Sequence, residues 1–274
     1  MSTVSTDVEA VSDGTVIAEQ RDHVLLVTLN RPDARNAVNV ELTRGVGVAL
    51  DHAEDDAGTW VVVVTGAGDR AFCAGADLKA VASGAFAAAE DERFERWGFA
   101  GYVSHAISKP TIAAVNGFAL GGGTEIVLAS DLAVAADTAT FGLPEVKRGI
   151  YPGAGGAFRL PRQIPPKVAM EAILTGQPLS AQRALELGLV NRVVPLTSLL
   201  DEAMALADAI CTNAPLAVQV SKRIARGITD AHVAAEDADW ARSAAEAQVL
   251  MRSDDAREGM RAFAEKRAPI WQGK

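Results

Sequence analysis

Cysteine and histidine are both scarce in this chain. Its 274 residues include two cysteines, Cys73 and Cys211, and four histidines. The cysteines lie far apart with no Cys or His at metal-ligand spacing, so we expect reduced thiols in a cytoplasmic protein. The histidines are scattered; none forms an H-x-x-x-H pair or lies beside a serine elbow. The sequence therefore predicts no metal site and gives no support to catalytic-triad chemistry.

Basic charge and long apolar runs are also lacking. The 26 lysines and arginines are outnumbered by 35 acidic residues, which gives a net charge of −9. Proteins that bind nucleic acids need a basic surface, so we expect no nucleic-acid partner. No uninterrupted apolar run is long enough to span a bilayer, and we expect no membrane partner. Residues 1–13 are polar and acidic, unlike a secretory signal, and are interpreted as a disordered tail.

Short β-branched segments alternate with segments of helical spacing in the first two thirds of the chain. Residues 24–29, 60–65 and 111–115 are typical of strands, whereas residues 40–54 and 87–108 are helical in spacing or composition. This alternation predicts an α/β architecture. After residue 166 the pattern is mostly helical.

Two glutamates stand beside glycine-rich segments. Glu125 closes the segment NGFALGGGTE, and Glu145 closes FGLPE and is followed by PGAGG at 152–156. In a carboxylate pair, one group can take a proton from water while the other delivers a proton to carbon. Glycines let the main-chain N–H groups approach a developing oxyanion. The alternatives are two surface glutamates and a flexible turn; a P-loop is excluded because no Gly-Lys-Ser/Thr follows.

An ordered set of motifs resembles the enoyl-CoA hydratase/isomerase, or crotonase, superfamily. The motifs are LNRP (29–32), AFCAGADLK (71–79), NGFALGGG (116–123), FGLPE (141–145), PGAGG (152–156), LTG (174–176) and GLV (188–190). The resemblance implies a crotonase-like spiral of ββα units with a C-terminal helical region. We expect a crotonase core over 14–205 and a helical oligomerisation region over 206–274, which builds a homotrimer or a dimer of trimers.

The same resemblance assigns roles to individual residues. The thioester carbonyl of an acyl-CoA would lie between the N–H groups of Ala76 and Gly122, which form an oxyanion hole. Glu125 would activate the water that attacks C3, and Glu145 would supply the proton to C2. CoA enters as part of the substrate, and no metal or other cofactor is implied. The residues expected to bind substrate or CoA are Ala74, Asp77, Leu78, Lys79, Tyr151 and Gly153.

The leading hypothesis is an enoyl-CoA hydratase, which adds water reversibly to a 2-trans-enoyl-CoA in fatty-acid or related acyl-CoA metabolism. A Δ3,Δ2-enoyl-CoA isomerase of the same fold would need only Glu145. A carnitinyl-CoA dehydratase is a further alternative, because residues 160–176 and 185–194 resemble those enzymes. An acyl-CoA-binding paralogue without turnover is the non-enzymatic alternative. Three residues depart from the common family pattern: Thr124, Arg148 and Tyr151.

Overall fold

The computed structural model of the protein describes residues 3–89 and 92–274 and contains two principal β-sheets. The strands are β1 (Val16–Arg21), β2 (Val24–Leu29), β3 (Val61–Gly66), β4 (Ala71–Cys73), β5 (Thr111–Val115), β6 (Phe118–Leu120), β7 (Leu132–Ala136), β8 (Thr140–Gly142), β9 (Leu179–Ser180), β10 (Arg192–Val194), β11 (Ile228–Thr229) and β12 (His232–Val233).

Helices surround these sheets and dominate the C-terminal third. They are α1 (Thr3–Ser12), α2 (Val40–Asp55), α3 (Leu78–Ala82), α4 (Ala85–Ala88), α5 (Arg93–Trp97), α6 (Gly122–Ala129), α7 (Gly156–Gln163), α8 (Pro166–Thr175), α9 (Ala181–Glu186), α10 (Leu199–Cys211), α11 (Pro215–Arg226), α12 (Asp237–Leu250) and α13 (Asp254–Ala264). A 3₁₀ helix, Pro144–Arg148, follows β8.

The larger sheet has the strand order β1-β2-β3-β5-β7-β10 and is parallel from β2 onward. One register row runs from Leu26 through Val63 and Ile112 to Leu132. The first three of these side chains are at most 2% exposed. A parallel strand covered on both faces needs a nearly continuous apolar run, which is what β2 and β3 supply.

The smaller sheet explains the spiral form of the molecule. Its order is β4-β6-β8-β9, with β4, β6 and β8 parallel. The chain visits the larger sheet and then the smaller sheet in each turn, as β3 then β4, β5 then β6, and β7 then β8. This arrangement confirms the predicted α/β class and the spiral of strand pairs.

The smaller sheet also brings the predicted site segments together. Because β6 and β8 are parallel with Leu120 paired to Gly142, both strands end at the same edge. Glu125 follows β6 and Glu145 follows β8. The strand β4 ends at that edge too, since Cys73 pairs with Ala119.

The N-terminal segment corrects one expectation. Residues 3–12 form the helix α1 instead of a disordered tail. Val4 and Val8, four residues apart and therefore on one face, are at most 1% exposed. A Cβ atom at Gly45 of α2 would lie 2.6 Å from Cβ of Ser12, so the absence of a side chain there lets α1 pack closely.

The segment expected to form one helix over 87–108 is broken in the structure. Residues 90 and 91 lie outside the described residues. The helix α5 ends at Trp97 because Gly98 has a φ of 67°, and Ala100 follows with a φ of 61°. At Gly101 a Cβ would come within 2.2 Å of the Thr43 carbonyl oxygen, so this turn lies directly against α2. Helical composition was therefore overridden by tertiary packing.

The domain boundary predicted after residue 205 falls inside α10. Leu199, Ala203 and Ala207 recur every four residues and are at most 3% exposed. They form the face with which α10 packs on the larger sheet, so the core extends through Cys211.

Among residues 3–89 and 92–274, no single helix is long and apolar enough to cross a membrane. Only the bent pair of helices 196–211 and 215–226, taken together, has the length and composition of a span.

Candidate active site

The turn between β6 and α6 positions the first glutamate. Gly121 has φ 56° and ψ −125°, a conformation essentially restricted to glycine, and α6 begins at Gly122. A Cβ atom on Gly121 would also lie 2.9 Å from Oε1 of Glu145. Glycine at 121 is therefore needed both for the turn and for the close approach of the second carboxylate.

Glu125 is a buried carboxyl held by backbone donors. It is 3% exposed, and its Oε1 accepts a hydrogen bond of 2.9 Å from the N–H of Gly156 at the start of α7. Burial, together with the charge of Glu145, raises the pKa of Glu125 to about 8. The N–H groups of Gly156 and Ala154 and the charge of Arg159 oppose that rise. Glu125 can therefore exchange a proton near neutral pH.

Glu145 is less completely enclosed. It lies in the 3₁₀ helix after β8 and is half-buried, yet its Oε2 is inaccessible and has no hydrogen-bond partner among the described residues. Burial raises the pKa of Glu145 to about 7. Because repulsion between two neighbouring carboxylates is mutual, the protons belong to the pair. Near neutral pH the pair therefore holds about one proton, as one acid and one base require.

The two predicted oxyanion donors lie on adjoining segments. A Cβ on Gly75, whose φ is 88°, would be 3.3 Å from the backbone nitrogen of Gly122. Ala76 is fixed between two hydrogen bonds of 2.8 Å, from the Val38 N–H to the Gly75 carbonyl and from the Asp77 N–H to the Val38 carbonyl. As the first residue of α6, Gly122 has no carbonyl within the helix to receive its N–H. The arrangement suits stabilisation of an oxyanion.

Asp77 stabilises the loop that carries Ala76. Its Oδ1 caps α3 by accepting from the N–H of Lys79 at 3.0 Å, and its Oδ2 accepts from Nη2 of Arg31 at 2.9 Å. Partial burial disfavours the charge, but these hydrogen bonds hold the pKa of Asp77 below its usual value. Leu78 and Lys79 are exposed beside it, and Ala74 is half-buried. Contacts of these residues with CoA stay predictions.

The hydroxyl of Tyr151 binds to α12. It donates to the carbonyl of Ser243 at 2.8 Å and lies 2.9 Å from the Ser243 Oγ, and contact of Tyr151 or Gly153 with the substrate stays a prediction. A Cβ on Gly153 would be 3.1 Å from Cζ of Tyr151. Tyr151 therefore ties α12 to the glycine loop that precedes Gly156.

Two side chains in the site were not singled out as functional by their sequence context. The Thr124 hydroxyl is 2.6 Å from the Ala119 carbonyl and accepts from the Gly142 N–H at 2.9 Å, which joins α6 to β8. Arg159 of α7 is buried and pairs with Glu236, 77 residues later. The sequence gives no signal that Arg159 and Glu236 pair.

Among residues 3–89 and 92–274, no group of three or more His, Cys, Asp or Glu could hold a metal ion.

The structure therefore contains a candidate acid/base site, two carboxyl groups of raised pKa in a fold of crotonase type. The enoyl-CoA hydratase/isomerase family matches residues 19–274, and the chain belongs to this family. The carnitinyl-CoA dehydratase of Proteus mirabilis is 43% identical over 257 residues, 93% of this chain and 97% of that protein.

Solved structures agree with this assignment. The carnitinyl-CoA hydratase of Mycobacterium avium is 53% identical with a TM-score of 0.91, and an enoyl-CoA hydratase of Mycobacterium tuberculosis is 47% identical with a TM-score of 0.72. Each comparison covers 95% of this chain and 99% of the other. These findings confirm the predicted family and the prediction of an enzyme of the lyase class.

Proposed function

We propose that the protein catalyses the reversible addition of water across the C2–C3 double bond of a 2-trans-enoyl-CoA. The observation that carries this proposal is the pair Glu125 and Glu145, two carboxyl groups with raised pKa values that follow neighbouring parallel strands and are close enough for the charge of Glu145 to raise the pKa of Glu125. Such a pair supplies both proton transfers of hydration at neutral pH.

In the forward reaction the thioester carbonyl accepts hydrogen bonds from the N–H groups of Ala76 and Gly122. The reacting form of the pair is the one in which the shared proton is on Glu145, the less populated one-proton form by these pKa values. In that form Glu125 takes a proton from water as the water oxygen bonds to C3. The electrons of the double bond move to the carbonyl oxygen, where the two N–H groups stabilise the enolate. Glu145 then donates its proton to C2, which gives the 3-hydroxyacyl-CoA. Dehydration follows the same path in reverse, and CoA takes part only as the carrier of the acyl group.

The direct test is loss of the conjugated thioester absorbance of crotonyl-CoA. We expect Glu125→Gln and Glu145→Gln each to lower kcat/KM at least about a hundredfold, because each removes a proton-transfer group. Glu171→Gln, an exposed position on α8, is the matched control and should keep wild-type activity. No turnover of crotonyl-CoA or of longer 2-enoyl-CoA thioesters would contradict the proposal.

The wild type and the same glutamine variants also distinguish two alternative reactions within the family. An isomerase would convert a 3-enoyl-CoA and keep that activity in Glu125→Gln. Carnitinyl-CoA dehydration uses the same acid/base chemistry on an acyl chain with a trimethylammonium group, and similarity to proteins with that name favours it as the second candidate. Turnover of crotonobetainyl-CoA in preference to crotonyl-CoA would identify it.

We also propose that the enzyme acts in the cytoplasm, in fatty-acid or related acyl-CoA metabolism, as a homotrimer or dimer of trimers assembled through its C-terminal helices. Leu216, Val220 and Ile224 lie four residues apart on α11 and are 74%, 44% and 76% exposed, an apolar stripe that suits subunit contact. Light scattering should show a mass that Ile224→Glu lowers. An unchanged mass in that variant would exclude this stripe from the interface.

A further inference from the structure

The helix α13 packs on the 3₁₀ helix that carries Glu145. Ala256 and Gly259, three residues apart, lie on the buried face of α13. A Cβ atom on Gly259 would overlap the carbonyl group of Arg148 and lie 2.9 Å from the backbone nitrogen of Gly149. The absence of a side chain at 259 therefore lets the backbones of the two helices touch where the 3₁₀ helix ends.

The contact is equally close from the side of the 3₁₀ helix. A Cβ atom on Gly149 would be 2.5 Å from the carbonyl oxygen of Asp255 and 3.1 Å from Cα of Ala256. The guanidinium carbon of Arg148 lies 4.2 Å from the centre of the Phe263 ring, and a cation over an aromatic face is attracted to it. Arg148, which departs from the common family pattern, therefore has its partner on α13.

The 3₁₀ helix depends on such contacts because its own residues bury little surface. All five residues Pro144–Arg148 are at least partly exposed, and Oε2 of Glu145 has no hydrogen-bond partner among the described residues. The start of this helix is held by the buried Leu143 and by the end of α8, where a Cβ on Gly176 would lie 3.2 Å from Cα of Pro144. Its end is held by α13.

The helix α13 is fixed by contacts of its own. Ser253 caps its start by accepting from the N–H of Ala256 at 3.0 Å. Glu258 accepts from Nη2 of Arg267 at 2.9 Å and from the N–H of Ile270 at 3.0 Å, which ties the helix to the segment that follows it. Crowding between α13 and the 3₁₀ helix would therefore act on the 3₁₀ helix. If α13 yielded instead, the contact that holds that end would be lost.

We infer that Gly259 is a positioning residue for Glu145. The backbone contact of α13 with residues 148 and 149 fixes the end of the 3₁₀ helix, and this sets the place of the Glu145 carboxyl group relative to Glu125. Phe263 supports the same contact through Arg148. The inference rests on the proposed function, in which Glu145 gives its proton to C2.

The first test is Gly259→Ala. Alanine favours a helix more than glycine does, so a loss of activity would come from the contact and not from helix propensity. We expect kcat for hydration of crotonyl-CoA to fall at least about tenfold. KM, and the dissociation constant of the saturated thioester butyryl-CoA, should stay within about twofold of wild type, because the predicted thioester site at Ala76 and Gly122 lies on other segments. Phe263→Leu should lower kcat about threefold.

Gly45→Ala is the matched control. Gly45 is also a glycine within a helix, and a Cβ there would lie 2.6 Å from Cβ of Ser12, so the same substitution crowds α2 against α1. It should lower Tm and leave kcat of the folded enzyme unchanged. Met260→Ala, at a 42% exposed position on α13, should change neither. Wild-type kcat in Gly259→Ala, or an equal loss of kcat in Gly45→Ala, would overturn the inference while wild-type hydration left the proposed function intact.

The pKa of Glu125 gives a readout that needs no turnover. The charge of Glu145 raises this pKa, and the charge of Arg159 on α7 lowers it. Displacement of Glu145 in Gly259→Ala should therefore shift the pKa of Glu125 by about half a pH unit or more. Carbon-13 NMR of the carboxyl groups measures it, with Glu125→Gln to assign the signal.

The two claims fail separately in this measurement. If the pKa of Glu125 shifted but the wild type hydrated no 2-enoyl-CoA, the proposed function would fail alone. If the pKa of Glu125 were the same in Gly259→Ala and the wild type, the inference would fail whatever the activity.

Discussion

The two carboxyl groups proposed to transfer protons follow strands that end at the same edge of one sheet, but they lie in different surroundings. Glu125 is almost fully enclosed, and the Gly156 N–H fixes one of its oxygens. Glu145 is half-buried, and one of its oxygens has no partner within the described part of the chain. The backbone therefore fixes one oxygen of Glu125, whereas no contact of the described residues fixes Oε2 of Glu145. Parallel β6 and β8 bring both to one place, and the elements that follow each strand make them different.

The largest effect should come from removing both groups together. If Glu125 and Glu145 act as one proton-transfer unit, the double Gln variant should be within about tenfold of the worse single variant. Independent contributions would instead multiply, to roughly ten-thousandfold or more. Rates of crotonyl-CoA hydration for the two single variants and the double variant decide between these outcomes.

Two glycine substitutions displace one carboxyl group each. Gly121→Ala forces a Cβ to within 2.9 Å of Glu145 Oε1 and strains a turn with φ 56°, so we expect about a hundredfold loss of kcat/KM. Gly156→Ala places a Cβ 3.0 Å from Glu125 Oε1 without a positive φ and should cost about tenfold.

Gly188→Ala is the control for backbone strain in these two glycine substitutions. Gly188 also has a positive φ, 77°, but a Cβ there would meet nothing within 4 Å, and the residue follows α9. Activity should be unchanged even if stability falls. An equal loss of activity in all three Ala variants would show that general destabilisation, not displacement of a carboxyl group, is being measured.

The raised pKa values of the pair predict how activity and stability depend on pH. With values of about 7 for Glu145 and about 8 for Glu125, kcat/KM should be highest between those pH values and fall on either side.

The same pKa values predict how stability depends on pH. Both exceed the pKa values of the unfolded chain, so the folded state binds more protons, and the free energy of unfolding falls as the pH rises toward and through the two folded-state values. Glu125→Gln should therefore raise Tm above about pH 8 relative to wild type. If the Tm difference between Glu125→Gln and the wild type were the same at pH 5 and pH 9, the raised pKa of the buried Glu125 would be contradicted.

The smallest expected effect concerns the contact that links α12 to the site. Tyr151→Phe removes the hydrogen bond to Ser243 and should lower the free energy of unfolding by about 1 kcal/mol. Because Gly156 still donates to Glu125, kcat/KM should fall by no more than about threefold. Ser243→Ala, which keeps the carbonyl acceptor, should have a weaker effect. A loss near a hundredfold in Tyr151→Phe would mean that this hydroxyl takes part in catalysis.

The sequence was most informative where local chemistry and chain order coincide. The glycine turn, the start of α6 at Gly122 and the pair Glu125 and Glu145 follow from short motifs whose backbone requirements are strict. The order of the motifs along the chain does not reveal which distant segments are in contact. The pairing of Arg159 with Glu236 and the engagement of Tyr151 by Ser243 depend on where α12 folds back, so they emerged only from the structure.

The two errors of secondary structure have a common physical cause. A polar N-terminal segment was expected to be disordered, yet Val4 and Val8 bury one helix face against α2. A segment of helical composition was expected to form one helix, yet Gly98 and Gly101 turn the chain against the same helix. In both cases packing against α2 overrides the tendency of the local composition. Because this packing is a tertiary contact, local propensity does not predict it.

Isotope incorporation into crotonyl-CoA is the sharpest test of whether Glu125 and Glu145 hydrate the double bond. In heavy-oxygen, deuterated water, the wild-type enzyme should place one heavy oxygen at C3 and one deuterium at C2 of the product, as mass spectrometry can show. Glu125→Gln and Glu145→Gln should each suppress both labels, while Glu171→Gln should incorporate both at the wild-type rate. Absence of the C3 label in the wild type, or its undiminished incorporation in Glu125→Gln, would contradict hydration by this pair.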